Sequence, residues 1–390
     1  MEKHHLDALI AAAPPNVNYL SNYGALSYES VEGSYVFVVF SADRNQEPTL
    51  IVPLVKAAEL VSTKMSWIKD VRTYGTFYVT VPEGQRLSGW EAELVPLFRN
   101  QRDSDPFEVL QDVLGEKKLI GRNVGIDERA FRGSEYDRLC KQLGGGDNLT
   151  MVSEIFKEIR MVKTQDEIDI ILEANRITEV GVKVVMESIR PGWTTMDAVR
   201  LYGKTVSELD ALPMSPTITF GKNGYLPNSY FISSKQPMSQ GDLIRFDVTC
   251  IYKGHYTDIG RNAVVGSASI EQRKLFDVAY SGEEEAINAA RPGVRASEIF
   301  QKGVEGARKA GMPGYNRVHC GHGIALELYE HPLITPTCET VVEEGTVINI
   351  ETPYYEIGGG AYIVEDTLVV TTGEPIFASR MDRGLFEIAA

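Results

Sequence analysis

Residues 241–258 read GDLIRFDVTCIYKGHYTD. Asp247 ends the largely apolar run Leu243–Ile244–Arg245–Phe246, and Asp258 follows a short turn around Gly254. The pattern predicts two antiparallel strands, each presenting one carboxylate to the same cleft. A second pair follows further along: Glu351 ends Val347–Ile348–Asn349–Ile350, and Glu365 ends Tyr362–Ile363–Val364. Between the pairs, His322 sits in Cys320–Gly321–His322–Gly323. Its flanking glycines are expected to let backbone approach a ligand closely. Four carboxylates and one imidazole make a hard, mostly oxygen-donating set. Such a set suits two divalent ions that share bridging carboxylates. Two ions side by side can hold a hydroxide at neutral pH, the nucleophile of many hydrolases.

An internal repeat supports reading the five residues together. Arg190–Pro191–Gly192 is followed by Asp197, and Arg291–Pro292–Gly293 by Glu298; each opens an apolar-periodic segment, as a helix start would. Gly241 precedes Asp247 by six residues, and Gly345 precedes Glu351 by six. Each copy thus contributes two carboxylates, and the interface of two such halves is a natural ligand cleft. Acids are plentiful in this chain, with 54 Asp and Glu, and most are expected to be solvated. Acids scattered by chance would not track a repeat.

The order of patterns predicts an α+β fold in two domains. Residues 1–150 alternate short helical and strand patterns, as in a smaller α/β domain. Val36–Phe40, Leu50–Val52 and Ile120–Asp127 read as strands, and Pro53–Thr63 as a helix. Gly144–Gly145–Gly146 marks the break before a second domain, 151–390. From Glu154 to Ser188 the spacing is helical, with Thr164 and Glu167 placed as a capping box. Helices, strands, helices and strands then follow, which fits a curved antiparallel sheet with helices on its outer face. No Gly-rich strand-to-helix turn of the dinucleotide type is present.

Composition narrows the partners. A net charge of −15 argues against nucleic acid or an anionic membrane as partner. No stretch is apolar for the ~20 residues of a membrane span. The N-terminus lacks the form of a signal peptide, and Cys140, Cys250, Cys320 and Cys338 have no paired spacing. Both point to a reduced, cytoplasmic protein. Cys320 beside His322 is either a thiol ligand or a packing residue. His255, three residues before Asp258, should face away from it by alternation.

The five residues, in this order and spacing, resemble the pita-bread metallopeptidases: methionine aminopeptidase, aminopeptidase P, prolidase and their non-metal relative creatinase. Pro15–Leu20 and Arg160–Ile168 also resemble stretches common in that group. Residues 1–150 resemble the N-terminal domain that prolidases and creatinase carry. The resemblance implies a pita-bread catalytic domain and two ions per chain, Mn²⁺ or Fe²⁺ before Co²⁺ or Zn²⁺. It implies a homodimer, and Xaa-Pro dipeptidase or aminopeptidase activity through a metal-bridging hydroxide. By position Asp247 would chelate one ion, Asp258 and Glu365 would bridge both, and His322 and Glu351 would complete the second. Glu351 would also carry the proton to the leaving amine.

The sequence departs from that pattern at three places. Where the peptidases have a second histidine, seven residues after the ligand, this chain has Tyr329, followed by Glu330–His331–Pro332. Where another histidine follows a proline, it has Asn228. Where prolidases often have arginine, it has Ile363. Tyr329 and Asn228 can donate hydrogen bonds to an oxyanion, and His319 or His331 can take over a histidine's part. Tyr230 lies in the same loop as Asn228. These departures leave open a non-peptidase enzyme of the same fold, a small-molecule amide or amidine hydrolase or a lyase, and a non-catalytic binding module.

Overall fold

The computed structural model describes residues 1–24, 34–81, 83–87, 89–101, 103–143, 145, 148–221, 224–225 and 237–389. It divides into two compact units, Met1–Lys157 and Glu158–Ala390.

The first unit is an α/β layer structure. Its sheet runs in the order Asp70–Tyr74, Thr49–Pro53, Phe37–Ser41, Ala8–Ala11, Val124–Ile126 and Leu149–Met151. Alternation sends Ala8, Ile10, Phe37 and Val39 to one core, and Leu9, Ala11, Val36 and Val38 to the other. The helix Pro106–Glu116 buries Phe107, Leu110 and Val113 on the first face; Pro14–Ser21 buries Val17 on the second. The strand predicted over Ile120–Asp127 is shorter than expected. Gly121 takes φ 76° and turns the chain, so only Val124–Ile126 pairs.

The second unit is built twice over. Helices Gln165–Ser188 and Thr195–Ser207 precede strands Leu212–Phe220, Leu243–Tyr252 and Ile259–Val265. Helices Ile270–Ala289 and Ala296–Lys309 precede Gly321–Gly323, Glu330–Leu333, Val347–Glu351 and Glu365–Val369. The predicted helical block from Glu154 is interrupted, because Val162 leaves the helix to bridge Thr346. The Thr164–Glu167 capping box then starts the next helix.

The repeat holds in backbone detail. Gly192 and Gly293 take φ 93° and 92°, and their N–H groups donate to Met238 O and Val342 O, each at 2.9 Å. Gly241 and Gly345 take φ 85° and 84° and donate to Val265 O and Val370 O at 2.8 and 2.9 Å. A side chain at these left-handed positions would be strained. The two halves therefore enter their sheets by the same turns.

One sheet joins the halves. Its main path runs Glu330–Leu333, Gly321–Gly323, Val347–Glu351, Glu365–Val369, Ile259–Val265, Leu243–Tyr252, Leu212–Phe220. The halves meet between Ile259–Val265 and Glu365–Val369, with Gly260 opposite Glu365. On one face, Ile244, Phe246 and Val248 pack with Val185, Val199 and Tyr202 of the first helix pair. Ile348, Ile350 and Leu368 pack with Ile287, Ile299 and Phe300 of the second. Among the described residues no helix is long and apolar enough to cross a membrane.

Candidate metal centre

The other face of this sheet is buried yet polar, and register explains which side chains meet there. Asp247 pairs with Gly260, Gly260 with Glu365, and Glu365 with Glu351. Residues directly opposite on neighbouring strands point to one face, so three carboxylates stand in one row across both halves. Asp258 lies two residues before Gly260, and His322 pairs with Asn349, two residues before Glu351. An offset of two keeps both on that same face. Asp247 is in mid-strand rather than at a strand end, and Glu365 opens its strand rather than closing one. The turn between Asp247 and Asp258 forms as expected around Gly254, at φ 81°.

The glycine in the middle of the row is required. A Cβ on Gly260 would lie 2.6 Å from Glu365 Cβ and 2.7 Å from Ile363 Cγ1. Gly321 and Gly323 serve a different purpose from the one expected. A Cβ on Gly321 would meet Asn349 O at 2.0 Å, and one on Gly323 would meet His331 O at 2.3 Å. These glycines admit neighbouring backbone on both sides of the His322 strand.

Asp258, His322 and Glu365 are buried, and each offers a ligand atom within 4.8 Å of the others. His322 Nδ1 bonds the Gly323 carbonyl at 3.0 Å, which puts the proton on Nδ1. Its Nε2 makes no hydrogen bond among the described residues and lies 4.0 Å from Asp258 Oδ2. A buried bare nitrogen facing carboxylates is costly unless a cation sits between them. Burial, reinforced by Asp247 and Glu351, pushes the Asp258 carboxyl well above its ordinary range. Burial and then Asp258 do the same to Glu365. Burial lifts Glu351 to about 7 against the pull of Arg317, and lowers His322 to about 4. Crowded carboxylates and an uncharged imidazole are the donor set a pair of divalent cations would relieve.

Of the remaining predicted residues, Tyr329 and His319 touch this cluster. Tyr329 stacks on His322, ring centroids 3.9 Å apart, and is half exposed. His319 Nδ1 lies 3.3 Å from Glu351 Oε1. His331 bonds Thr340 Oγ1 at 2.7 Å. Asn228 and Tyr230 lie outside the described residues. Cys320 is buried against the second helix pair, with Sγ 3.9 Å from Phe300 O, so it packs. His255 is buried, with Nδ1 3.1 Å from Lys253 O.

Several supporting residues carry no sequence signal of their own. Asn349 donates to Glu365 Oε1 and accepts from Thr367 at 2.9 Å. Thr249 reaches Asp258 Oδ1 at 3.4 Å. On the back face, Arg261 is wholly buried and binds Asp366 at 2.7 Å and the Glu365 carbonyl at 3.0 Å. Arg383 binds the same Asp366 at 2.8 Å and Glu283 at 2.7 Å. The neighbour of each front-face residue at the seam thus anchors the strand from behind. Strand pairing brings these groups together, over nine to eighteen residues for Thr249 and Asn349 and over about a hundred for Arg261 and Asp366.

Fold and cluster together are those of a pita-bread metalloprotein. Residues 169–372 match the model of metallopeptidase family M24, and residues 1–162 that of the creatinase/prolidase N-terminal domain. The chain belongs to metallopeptidase family M24. It is 26% identical to an Xaa-Pro dipeptidase from Pyrococcus furiosus, over 95% of this chain and 92% of that protein. The X-Pro aminopeptidase from Thermotoga maritima MSB8 has the same fold, with TM-score 0.79 at 20% identity over 98% of both chains. The prolidase structure from Pyrococcus furiosus gives TM-score 0.76 at 24% identity, over 98% of this chain and 99% of that one.

Proposed function

We propose that this chain is a dinuclear metal-dependent hydrolase that cleaves an amide bond of a short peptide, as an Xaa-Pro dipeptidase or aminopeptidase does. The observation that carries this reading is the row Asp247–Gly260–Glu365–Glu351 with Asp258 and His322 on the same buried face. Asp247, Asp258, His322, Glu351 and Glu365 would hold the ions. Two divalent ions, when bound, acidify water and polarise a carbonyl oxygen. Glu351 takes the proton from the attacking water and hands it to the leaving amine. His319 takes over the part of a missing family histidine, and Asn228, Tyr230 and His331 contact the substrate. Mn²⁺ or Fe²⁺ suits the oxygen-rich set best, and Co²⁺ or Zn²⁺ would also bind.

The domain assignment that goes with this function is 1–150 and 151–390, the latter catalytic, in a cytoplasmic homodimer. Hydrolysis of Xaa-Pro dipeptides stimulated by Mn²⁺, Co²⁺ or Fe²⁺ is the test. No stimulated hydrolysis of any dipeptide or cyclic amide, in protein shown to hold metal, would overturn it.

Tyr329 is the oxyanion donor in this reading, because its phenol belongs to a ring stacked on the ligand His322. Tyr329→Phe keeps the stacking and removes the donor. Turnover should fall, by up to about 10²-fold if the bond is made in the transition state. Metal content by elemental mass spectrometry should stay unchanged. Unaltered turnover would exclude Tyr329 from that role. The same tyrosine, with Ile363 wholly buried beside Gly260, favours the second reading, a small-molecule amide or amidine hydrolase or a lyase. Metal-loaded protein inert on peptides but active on cyclic ureas or amidines would select it. A pure binding module has no need of four convergent carboxylates.

A further inference from the structure

We infer that Arg383 is a positioning residue for the metal centre. Residues 379–388 form a strap behind the seam between the two halves, and Arg383 ties the Glu365 strand to it. The inference rests on the metal-binding reading above and concerns how the ligands of the two halves are held against each other.

The seam itself is thin. Strands Leu243–Tyr252 and Ile259–Val265 are registered through six residue pairs, and Val347–Glu351 and Glu365–Val369 through five. Across the seam, one registered pair joins the strands among the described residues, Gly260 with Glu365. The proposed ligands stand on both sides of it, Asp247 and Asp258 on one and Glu351 and Glu365 on the other. Like charges facing each other across so short a ladder drive its strands apart unless other contacts hold them.

Residues 379–388 lie outside both repeats and bond to both. In the first half, Glu179 of helix Gln165–Ser188 accepts Ser379 Oγ at 2.5 Å, the Met381 N–H at 2.7 Å and the Arg380 N–H. Phe386–Ile388 then runs parallel to Ala263–Val265 and extends the sheet of that half. In the second half, Arg383 donates to Asp366, the residue after Glu365, at 2.8 Å. The same guanidinium donates to Glu283 at 2.7 Å and to Glu284, both on helix Ile270–Ala289. Arg261 lies between. Its Nη1 donates to the carbonyls of both seam residues, Gly260 at 2.7 Å and Glu365 at 3.0 Å, and its Nε to the Asp382 carbonyl of the strap at 3.0 Å.

Arg383 is the member of this group whose loss would be felt at the seam. The side chains of Asp366 and Glu283 are 0% exposed, and Glu283 Oε1 makes no hydrogen bond among the described residues. Without the guanidinium, two buried carboxylates lose a donor, and Asp366 loses its tie to the strap. A planar fork that bonds three carboxylates fixes their directions as well as their charge, which a single ammonium does not.

Two readouts test this without any substrate: Mn²⁺ affinity by competition with a chelating dye, and the visible absorption of Co²⁺-loaded protein. Arg383→Gln should weaken Mn²⁺ binding by roughly tenfold to a hundredfold, as loss of a group supporting metal ligands does. It should still fill to the stoichiometry of the parent at high metal, and its Co²⁺ bands should shift. Arg383→Lys, which keeps the charge without the fork, should restore part of both. Ile287→Val opens a small cavity in the core of the second helix pair and should leave both readouts at the parent values. If Arg383→Gln does not fold, Glu179→Ala releases the strap from the first half and should weaken Mn²⁺ binding in the same way. Parent-like affinity and an unmoved Co²⁺ spectrum in the folded variant overturn the inference and leave the metallohydrolase reading standing. An equal change in Ile287→Val also overturns it, by assigning the effect to stability. A parent that takes up neither ion removes the metal-binding reading and the inference with it.

Discussion

Asp258→Ala and Glu365→Ala proteins are expected to bind little metal and to hydrolyse nothing above background, where the unaltered protein is expected to hold about two ions per chain. Each substitution removes an oxygen donor from a different half of the sheet. Each leaves His322 Nε2 facing a poorer set. The apo proteins should behave in the opposite sense. Mutual repulsion and burial hold the Asp258 and Glu365 carboxyls far above their ordinary range, so deleting one relieves strain. The metal-free variants should therefore melt no lower than the metal-free parent. Only the parent should gain stability on adding ions, about 2.7 kcal/mol at a hundred times Kd. Elemental mass spectrometry with thermal melts, with and without Mn²⁺, reads both effects. Full metal retention in either variant would mean that the cluster is not the binding site.

Glu330→Ala should be the most damaging change to stability, costing ~3–5 kcal/mol. Glu330 is buried where the chain leaves Tyr329. It pairs with Arg160 and, at 3.0 Å, with Lys163, and accepts the N–H groups of Leu326 and Glu327. Truncation takes the carboxylate from Lys163, whose side chain is 0% exposed, and removes one of the carboxylates that Arg160 binds beside Glu327 at 2.7 Å. Urea titration would measure the loss. The pH dependence has a definite sign. Burial alone would raise the Glu330 carboxyl, but Lys163 and Arg160 outweigh it and hold it below the ordinary value. Its contribution is therefore complete above the unfolded-state pKa, about 4.3, and fades as pH falls through the folded value. The gap between parent and variant should stay level from pH 7 to about 5 and close in stronger acid. A gap unchanged at pH 3 would show that packing, not charge, makes the difference.

Much of this centre is legible in the chain because residue type and local spacing suffice for it. Asp247, Glu351 and Glu365 stand out as acids ending apolar runs, and the repeat of Gly241 and Gly345 ties the pairs together before any contact is known. The capping box at Thr164 and the helix after it are local properties, and they form as written. Strand limits are less legible. Asp247 sits within a ten-residue strand because its neighbours Thr249 and Cys250 continue to pair, with Met214 and Pro213. What stays hidden depends on register across the sheet. Nothing local marks Gly260 as the residue that makes room for Glu365, or Asn349 as its hydrogen-bond partner. Asp366 looks like one acid among many until Arg261 and Arg383 close on it from elements far apart in the chain.

The seam between the halves has one more consequence. Gly260 and Glu365 are the registered pair that joins the two repeats, and each half supplies two of the four carboxylates. Without ions, those carboxylates push the halves apart at this line. Ions held from both halves, as proposed, would draw it closed. Local opening of the sheet there would then expose a bound ion to solvent. The residence time of the metals would be governed by how often the seam breathes, and only secondarily by the strength of any one ligand.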